Sequence, residues 1–267
     1  MSDNGSPGKD VTLVWIPGWG FTSHIFEAFC HTHASQYTNV LLDWPAPSLT
    51  SALPTFDLTQ LVAAMVEEIP KPCVLVGWSY GGMIACEMAK MAPKDIVGIF
   101  GIGTTPKFIN QQGWPGISPE GFAMLYNLIE QNTPMGLRYF TKLLQDTPLT
   151  NDYLNLITDS LLPSANVYTP ILLNHLSILG RHDGRPTLKS AHCPVHFIYG
   201  DQDRLVPHQV TSALMPDCYP LTMTLLEGAG HCLFLTHGEK CKDVLDEFIL
   251  EVVNGSLSNQ PADRYAL

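Results

Sequence analysis

The chain has 267 residues, a formal charge of −11 at pH 7, 45% hydrophobic side chains and 15% charged ones. This balance belongs to a globular chain with a sizeable core and excludes a disordered one. The acidity argues against nucleic acid, whose phosphates would be repelled, and no apolar run approaches the ~18 residues that span a bilayer.

Met1 to Asp10 is polar and acidic, with neither the basic flank nor the apolar centre of a signal peptide. Seven cysteines, an odd number scattered through apolar segments, fit reduced thiols better than a disulfide framework. The expectation is a soluble, cytoplasmic, monomeric protein with no membrane contact. Charge is unevenly spread. Residues 106–192 hold six basic and six acidic side chains, so the rest of the chain carries the whole −11. An acidic partner would find that neutral middle segment the least repulsive face.

In chain order, Val11 to Ile16 reads as a buried strand and Asn39 to Asp43 as another. Asp57-Leu58-Thr59-Gln60 has the spacing of a capping box, and Leu58, Leu61, Val62, Met65, Val66 and Ile69 recur at helical intervals before Pro70. An apolar strand, Cys73 to Val76, then leads into a helical run from Met83 to Met91 that Pro93 stops, and Ile96 to Ile102 is a further strand. Strand alternating with helix in this way indicates an α/β fold, a mostly parallel sheet with helices on both faces.

The alternation breaks after Thr105. Helical patterns with prolines follow over Pro119 to Glu130, Met135 to Gln145, Asn151 to Leu162 and Pro170 to Leu179. Strand patterns return at Val195 to Tyr199 and Leu221 to Leu226, and a last amphipathic helix spans Glu239 to Val253. The expected organisation is a discontinuous core, 1–105 and 193–255, an inserted helical lid over 106–192, and a flexible tail, 256–267.

Gly77-Trp78-Ser79-Tyr80-Gly81-Gly82 sits between the third strand and its helix. In that context Gly-x-Ser-x-Gly is a nucleophile elbow, a reversal so sharp that only small residues fit beside the serine. A serine hydroxyl is a poor nucleophile unaided and needs a base with an orienting carboxylate. In Gly200-Asp201-Gln202-Asp203-Arg204-Leu205-Val206-Pro207, after a strand end, Asp203 is the preferred carboxylate and Asp201 a turn residue. His231, in Gly228-Ala229-Gly230-His231 after the next strand, is the base. Ser79, Asp203 and His231 follow the chain order of an α/β-hydrolase triad.

Acyl transfer also needs donors aimed at the developing oxyanion. The backbone N–H of Tyr80 and that of Trp19, in Pro17-Gly18-Trp19-Gly20 after the first strand, are the candidates. His31 with His33, and His192 with His196, lack companion ligands at metal spacing, so no metal is expected. Gly101-Ile102-Gly103 lacks the rest of a dinucleotide fingerprint, and no cofactor is expected.

With these residues in place, the chain resembles the α/β-hydrolase superfamily over nearly its full length. It is most similar there to the BioH-type esterases, which hydrolyse the methyl ester of pimeloyl-acyl carrier protein in biotin synthesis. Gly18-Trp19-Gly20, the Trp78-bearing elbow, Trp114-Pro115-Gly116-Ile117, Leu205-Val206-Pro207 and the Gly-x-Gly-His turn carry the likeness. Departures exist. Pro17-Gly18 replaces the family's His-Gly, Asp43-Trp44-Pro45-Ala46-Pro47-Ser48 is a shortened loop, and Phe140 to Gln145 only loosely reproduces the acyl-contacting Phe-to-Gln stretch.

The resemblance implies a cofactor-free serine carboxylesterase, with Phe140 touching the acyl chain and an acidic acyl carrier protein docking near the lid. Arg138 and Lys142, four apart on one predicted helix face, suit that contact, and Arg181 with Arg185 form a second basic pair. Two other readings remain open on the same scaffold. One is a general esterase, thioesterase or carbon–carbon bond hydrolase, and the other is a hydrolase-fold binding protein or receptor.

Overall fold

The structure, a computed structural model, describes residues 11–45, 56–162, 168–214 and 221–258. Residues 1–10, half of the shortened loop (Ala46, Pro47 and Ser48) and the tail beyond 258 lie outside the described residues. Six parallel strands form one sheet: β1 (Thr12–Ile16), β2 (Thr38–Leu41), β3 (Cys73–Trp78), β4 (Ile96–Ile102), β5 (Val195–Gly200) and β6 (Leu221–Leu226). Their spatial order is β2-β1-β3-β4-β5-β6. β3 lies at the centre, pairing Leu75 with Val14 on one side and Ile99 on the other, and is buried along its whole length. Burial on both faces explains why it reads as a continuous apolar run and not as an alternating one.

Helices cover the sheet. α1 (Glu27–His33) presses Phe29 against Trp15 of β1, ring centroids 5.6 Å apart. α2 (Leu58–Glu68) opens on a complete capping box: Gln60 N–H donates to Asp57 Oδ1 at 2.8 Å, and Asp57 N–H to Gln60 Oε1 at 3.0 Å. It buries Leu61, Val62, Met65 and Val66, the stripe expected from its periodicity. α3 (Tyr80–Met91) follows β3 directly, so whatever stands between them faces the carboxyl end of the sheet.

Between β4 and β5 stand α4 (Pro119–Gln131), α5 (Thr133–Leu143), α6 (Asn151–Asp159), α7 (Thr169–Arg181) and α8 (Arg185–Lys189). α5 begins two residues earlier than its pattern suggests, because Asn132 caps Met135 N–H at 3.0 Å and Pro134 suits the first turn. α6 stops at Asp159, short of Leu162, because tertiary bonds replace helical ones. The Ser160 carbonyl accepts from Thr22 N–H at 2.8 Å, and Leu162 N–H donates to the Gly20 carbonyl at 2.8 Å. The insertion is tied to the core through Glu87 of α3, whose Oε1 lies 3.0 Å from His182 Nε2. Its entry and exit are joined by Lys107 and Asp183 at 3.2 Å.

α9 (Val210–Leu214) and α10 (Leu233–Thr236) are short, and α11 (Gly238–Ser258) runs five residues past the expected end. α11 buries Cys241, Leu245, Phe248, Ile249 and Val252 against the sheet. No helix among the described residues is long and apolar enough to cross a membrane.

Candidate active site

Ser79 occupies the junction of β3 and α3 with φ 55 and ψ −119, a positive-φ conformation that a serine adopts only when its surroundings enforce it. Its neighbours enforce it by absence of side chain. A Cβ on Gly77 would stand 2.5 Å from the Gly82 backbone, and one on Gly81 would strike the Ile16 carbonyl. Ser79 N–H donates to the Ile102 carbonyl at 2.8 Å, and Thr104 Oγ1–H donates to the Ser79 carbonyl at 2.7 Å. The bend is thus pinned on both of its backbone polar groups, by the last residue of β4 and by the loop that follows it.

The loops after β5 and β6 bring the next two side chains to the same edge. His231 Nδ1 lies 2.7 Å from Asp203 Oδ2, while Asp203 Oδ1 accepts from Leu205 N–H at 2.9 Å and Val206 N–H at 2.8 Å. Both carboxylate oxygens are therefore committed, and the ring is held by a group that cannot itself swing. Asp201 does something else: its Oδ1 accepts from Gly228 N–H at 2.7 Å, closing a turn. The pair sits beside the elbow. Trp78, one residue before Ser79, donates its indole N–H to the His231 carbonyl at 3.0 Å, and its ring lies 5.5 Å from the imidazole at a tilt of 43°. Gly103, one residue past Ile102, faces Asp203 Oδ2 and His231 Nδ1.

His231 Nε2 is buried and has no hydrogen-bond partner among the described residues, Ser79 Oγ included. Catalytic hydrogen bonds often close only when substrate arrives. His231 Nε2 is thus open, in a loop whose backbone is bonded by Trp78, the neighbour of the strained Ser79. Burial alone would push the imidazole down, yet the Asp203 carboxylate, through charge and hydrogen bond, and the Asp146 carboxylate hold it above its ordinary value.

Asp146 was not singled out from the sequence. It lies in the turn after α5, half-buried, and its Oδ2 accepts from Arg204 N–H and His231 N–H, both at 3.2 Å. Asp-Thr-Pro reads only as turn chemistry, and nothing local points to partners 58 and 85 residues away. Thr104 was missed as well; its place just beyond a strand's carboxyl end was the available signal.

Trp19 is buried, donates its indole N–H to the Leu172 carbonyl of α7 at 3.0 Å, and meets Phe140 of α5 edge-on at 4.8 Å. The backbone N–H groups of Trp19 and Tyr80 donate to no acceptor among the described residues. The Tyr80 side chain is fully buried against Trp44 and His175, at 5.0 and 5.5 Å between ring centroids. Its hydroxyl and the Trp44 indole N–H have no partner among the described residues. This aromatic wall, completed by Phe56 at 5.2 Å from His175, was not foreseen.

Arg138 and Lys142 are exposed on α5 and make no ion pair among the described residues. Arg181, also exposed, ends α7. Arg185 is separated from it in role: its Nε donates to Asp183 Oδ1 at 2.7 Å, and its guanidinium lies 5.1 Å over the Trp114 ring. Of the histidines considered as metal pairs, His33 approaches Glu239 at 3.6 Å. His196 is held between the Thr222 and Thr224 hydroxyls at 2.8 and 3.0 Å.

The chain as a whole resembles known proteins. Residues 13–244 match the family described as the alpha/beta hydrolase family. A pimeloyl-acyl-carrier-protein methyl ester esterase of Legionella pneumophila (strain Corby) is 30% identical over 244 residues, covering 91% of this chain and 96% of the relative. The protein of that name from Methylococcus capsulatus is 29% identical over 243 residues, with the same two coverages, 91% and 96%. Among solved structures, an esterase from Exiguobacterium antarcticum superposes with a TM-score of 0.77 at 18% identity, covering 91% of this chain and 92% of that one. A hydrolase from Oleispira antarctica gives a TM-score of 0.78 at the same 18% identity and the same coverages, 91% and 92%. At that identity the two structures speak for the fold alone. The site on these strand ends is thus carried by a chain that belongs to the alpha/beta hydrolase family.

Proposed function

We propose that the protein is a serine carboxylesterase that hydrolyses acyl methyl esters, with the methyl ester of pimeloyl-acyl carrier protein as its substrate. One observation supports the chemistry: the buried Asp203–His231 pair leaves Nε2 without a partner among the described residues, and Trp78, next to the strained Ser79, holds the His231 backbone. In this reading Ser79 Oγ gives its proton to His231 Nε2 and attacks the ester carbonyl. The resulting oxyanion takes the N–H groups of Trp19 and Tyr80, and the helix α3 N-terminus adds its positive end. His231 passes the proton to the departing methoxide, so methanol leaves and an acyl-Ser79 ester remains. Water then repeats the sequence, with His231 as base, and releases the carboxylic acid. Asp203 keeps the Nδ1 proton in place and steadies the imidazolium, and each proton taken is returned.

The substrate assignment draws on the names of the two bacterial relatives and on one helix. α5 turns Phe140 inward against Trp19 and leaves Arg138 and Lys142 exposed. We read that helix, within an insertion acting as lid over 106–192, as the place where an acidic carrier would dock while its acyl chain passes Phe140. Arg181 could extend that basic face. Arg185 suits it less, being committed to Asp183 and Trp114.

Two measurements test the reading. Mass spectrometry after a serine-directed phosphonate should find Ser79 modified; an unmodified protein without ester turnover would favour a binding protein or receptor. Complementation of a biotin auxotroph lacking its pimeloyl methyl esterase should succeed with the parent and fail with Ser79→Ala. Growth with both versions, or with neither, would remove the biotin substrate.

A further inference from the structure

We propose that Asp146, carried by the helical insertion, is a positioning residue for His231, fastening the two loops that hold His231 and Asp203 and standing as a second anion behind the imidazole. This rests on the serine-esterase reading above. The geometry is specific. A single carboxylate oxygen, Asp146 Oδ2, accepts the backbone N–H of Arg204, next to Asp203, and the backbone N–H of His231 itself. The two loops are also joined directly nearer the strand ends, Gln202 N–H to the Ala229 carbonyl at 2.9 Å and Gly228 N–H to Asp201 Oδ1 at 2.7 Å. Asp146 instead bonds them at the residues next to and within the pair that chemistry requires to stay aligned, His231 Nδ1 and Asp203 Oδ2. The insertion approaches closely enough that a Cβ on Gly230 would stand 3.1 Å from Asp146 Cβ and 3.1 Å from Thr147 Oγ1. His231 thus follows a residue without a side chain at the point where Asp146 seats.

The charged surroundings fit the role. Asp146 faces His231 and Cys232 from the loop after β6, and Asp203 and Arg204 from the loop after β5. Burial and the neighbouring carboxylates keep the Cys232 thiol protonated, so it does not compete for the proton. Burial pushes the Asp146 carboxyl up, His231 pulls it down, Asp203 pushes it up again, and the two amides favour its charged form. Two carboxylates about one imidazole favour imidazolium, the form His231 takes when it has accepted the Ser79 proton. Because Asp146 sits on the insertion, seating of that insertion and alignment of the base become one event.

Asp146→Asn and Asp146→Ala separate the two contributions, and the readout is the pH profile of kcat/KM and the plateau kcat and KM on p-nitrophenyl butyrate. Asparagine keeps an oxygen for both amides and loses the charge. It should lower kcat by a few-fold, less than alanine does, while moving the acid limb of kcat/KM down by about one pH unit. Alanine loses the amide contacts too and should lower kcat by roughly 10- to 100-fold with KM little changed, the pattern of a displaced base. An acid limb in the Asn variant that coincides with the parent's would overturn the electrostatic role. An Ala variant with parental kcat, or with only a lowered Tm, would overturn the positioning role. If alanine prevents folding, the asparagine profile decides alone. Ser79→Ala is run alongside: turnover surviving that change would overturn the esterase reading itself, whereas loss there with parental Asp146 variants would overturn only this inference.

Discussion

His175→Phe should make the fold less sensitive to acid. His175 is 4% exposed in α7, with Trp44, Phe56 and Tyr80 rings 4.9, 5.2 and 5.5 Å away. Burial among them pushes its imidazole from 6.5 down to about 3, so the folded protein holds it neutral at pH 5 while the unfolded chain protonates it. A folded value below the unfolded one means the unfolded state binds more protons in this window. Stability therefore falls as pH drops from 6.5 toward 3. From pH 6.5 to 5 the loss is about 1.5 units at ~1.36 kcal/mol each, or about 2 kcal/mol. A folded value of 4 gives the same figure, because the buried ring is neutral at pH 5 either way. Phenylalanine preserves the ring packing and cannot titrate. His196, also pushed down by burial, to about 4, is present in both proteins and cancels in the comparison. Urea unfolding at pH 7 and pH 5 should show the parent losing about 2 kcal/mol more than His175→Phe. Equal losses would mean that the imidazole is not held neutral by its cage, and the reasoning would fail.

Other consequences are as direct. Thr104→Val removes one donor to the Ser79 carbonyl, which keeps the Gly82 N–H at 3.1 Å, and should cost about 1 kcal/mol together with a fall in kcat. Unchanged stability and turnover would show that the elbow holds without this bond. Arg138→Glu with Lys142→Glu should slow hydrolysis of a carrier-bound acyl ester, more so at low salt, and leave p-nitrophenyl butyrate turnover intact. Equal loss on both substrates would assign these side chains to folding and not to docking.

The centre of the sheet was legible in the sequence because β1, β3, β4 and β5 are short, mostly apolar runs closed by turn residues. The edge strands β2 and β6 instead mix polar and apolar positions. The β4 and β6 bounds, Ile96–Ile102 and Leu221–Leu226, match their patterns end to end. The elbow was legible for a local reason too: strand, serine and three glycines are contiguous, and their crowding against Ile16, Gly82 and Thr104 makes that composition obligatory. The α6 boundary was less so, since its last turn is exchanged for bonds to Thr22 and Gly20, residues far earlier in the chain. Arg185 shows the same limit in electrostatics. Its spacing from Arg181 suggested a pair, but Asp183 two residues away and the Trp114 ring claim it. Asp146 and the Trp44–Tyr80–His175 wall are products of folding alone, where side chains from loops and helices far apart in the chain meet.

The central claim is that the Ser79 hydroxyl, the His231 ring and the Asp203 carboxylate act as one device. The most direct test measures kcat on p-nitrophenyl butyrate for Ser79→Ala, His231→Ala and the double variant, with folding checked by circular dichroism. Each single change should lower kcat by at least ~10³-fold to a common floor, and the double variant should fall no further, because a second loss from a broken unit removes nothing more. Losses that multiply in the double variant, or substantial turnover without Ser79, would contradict the account.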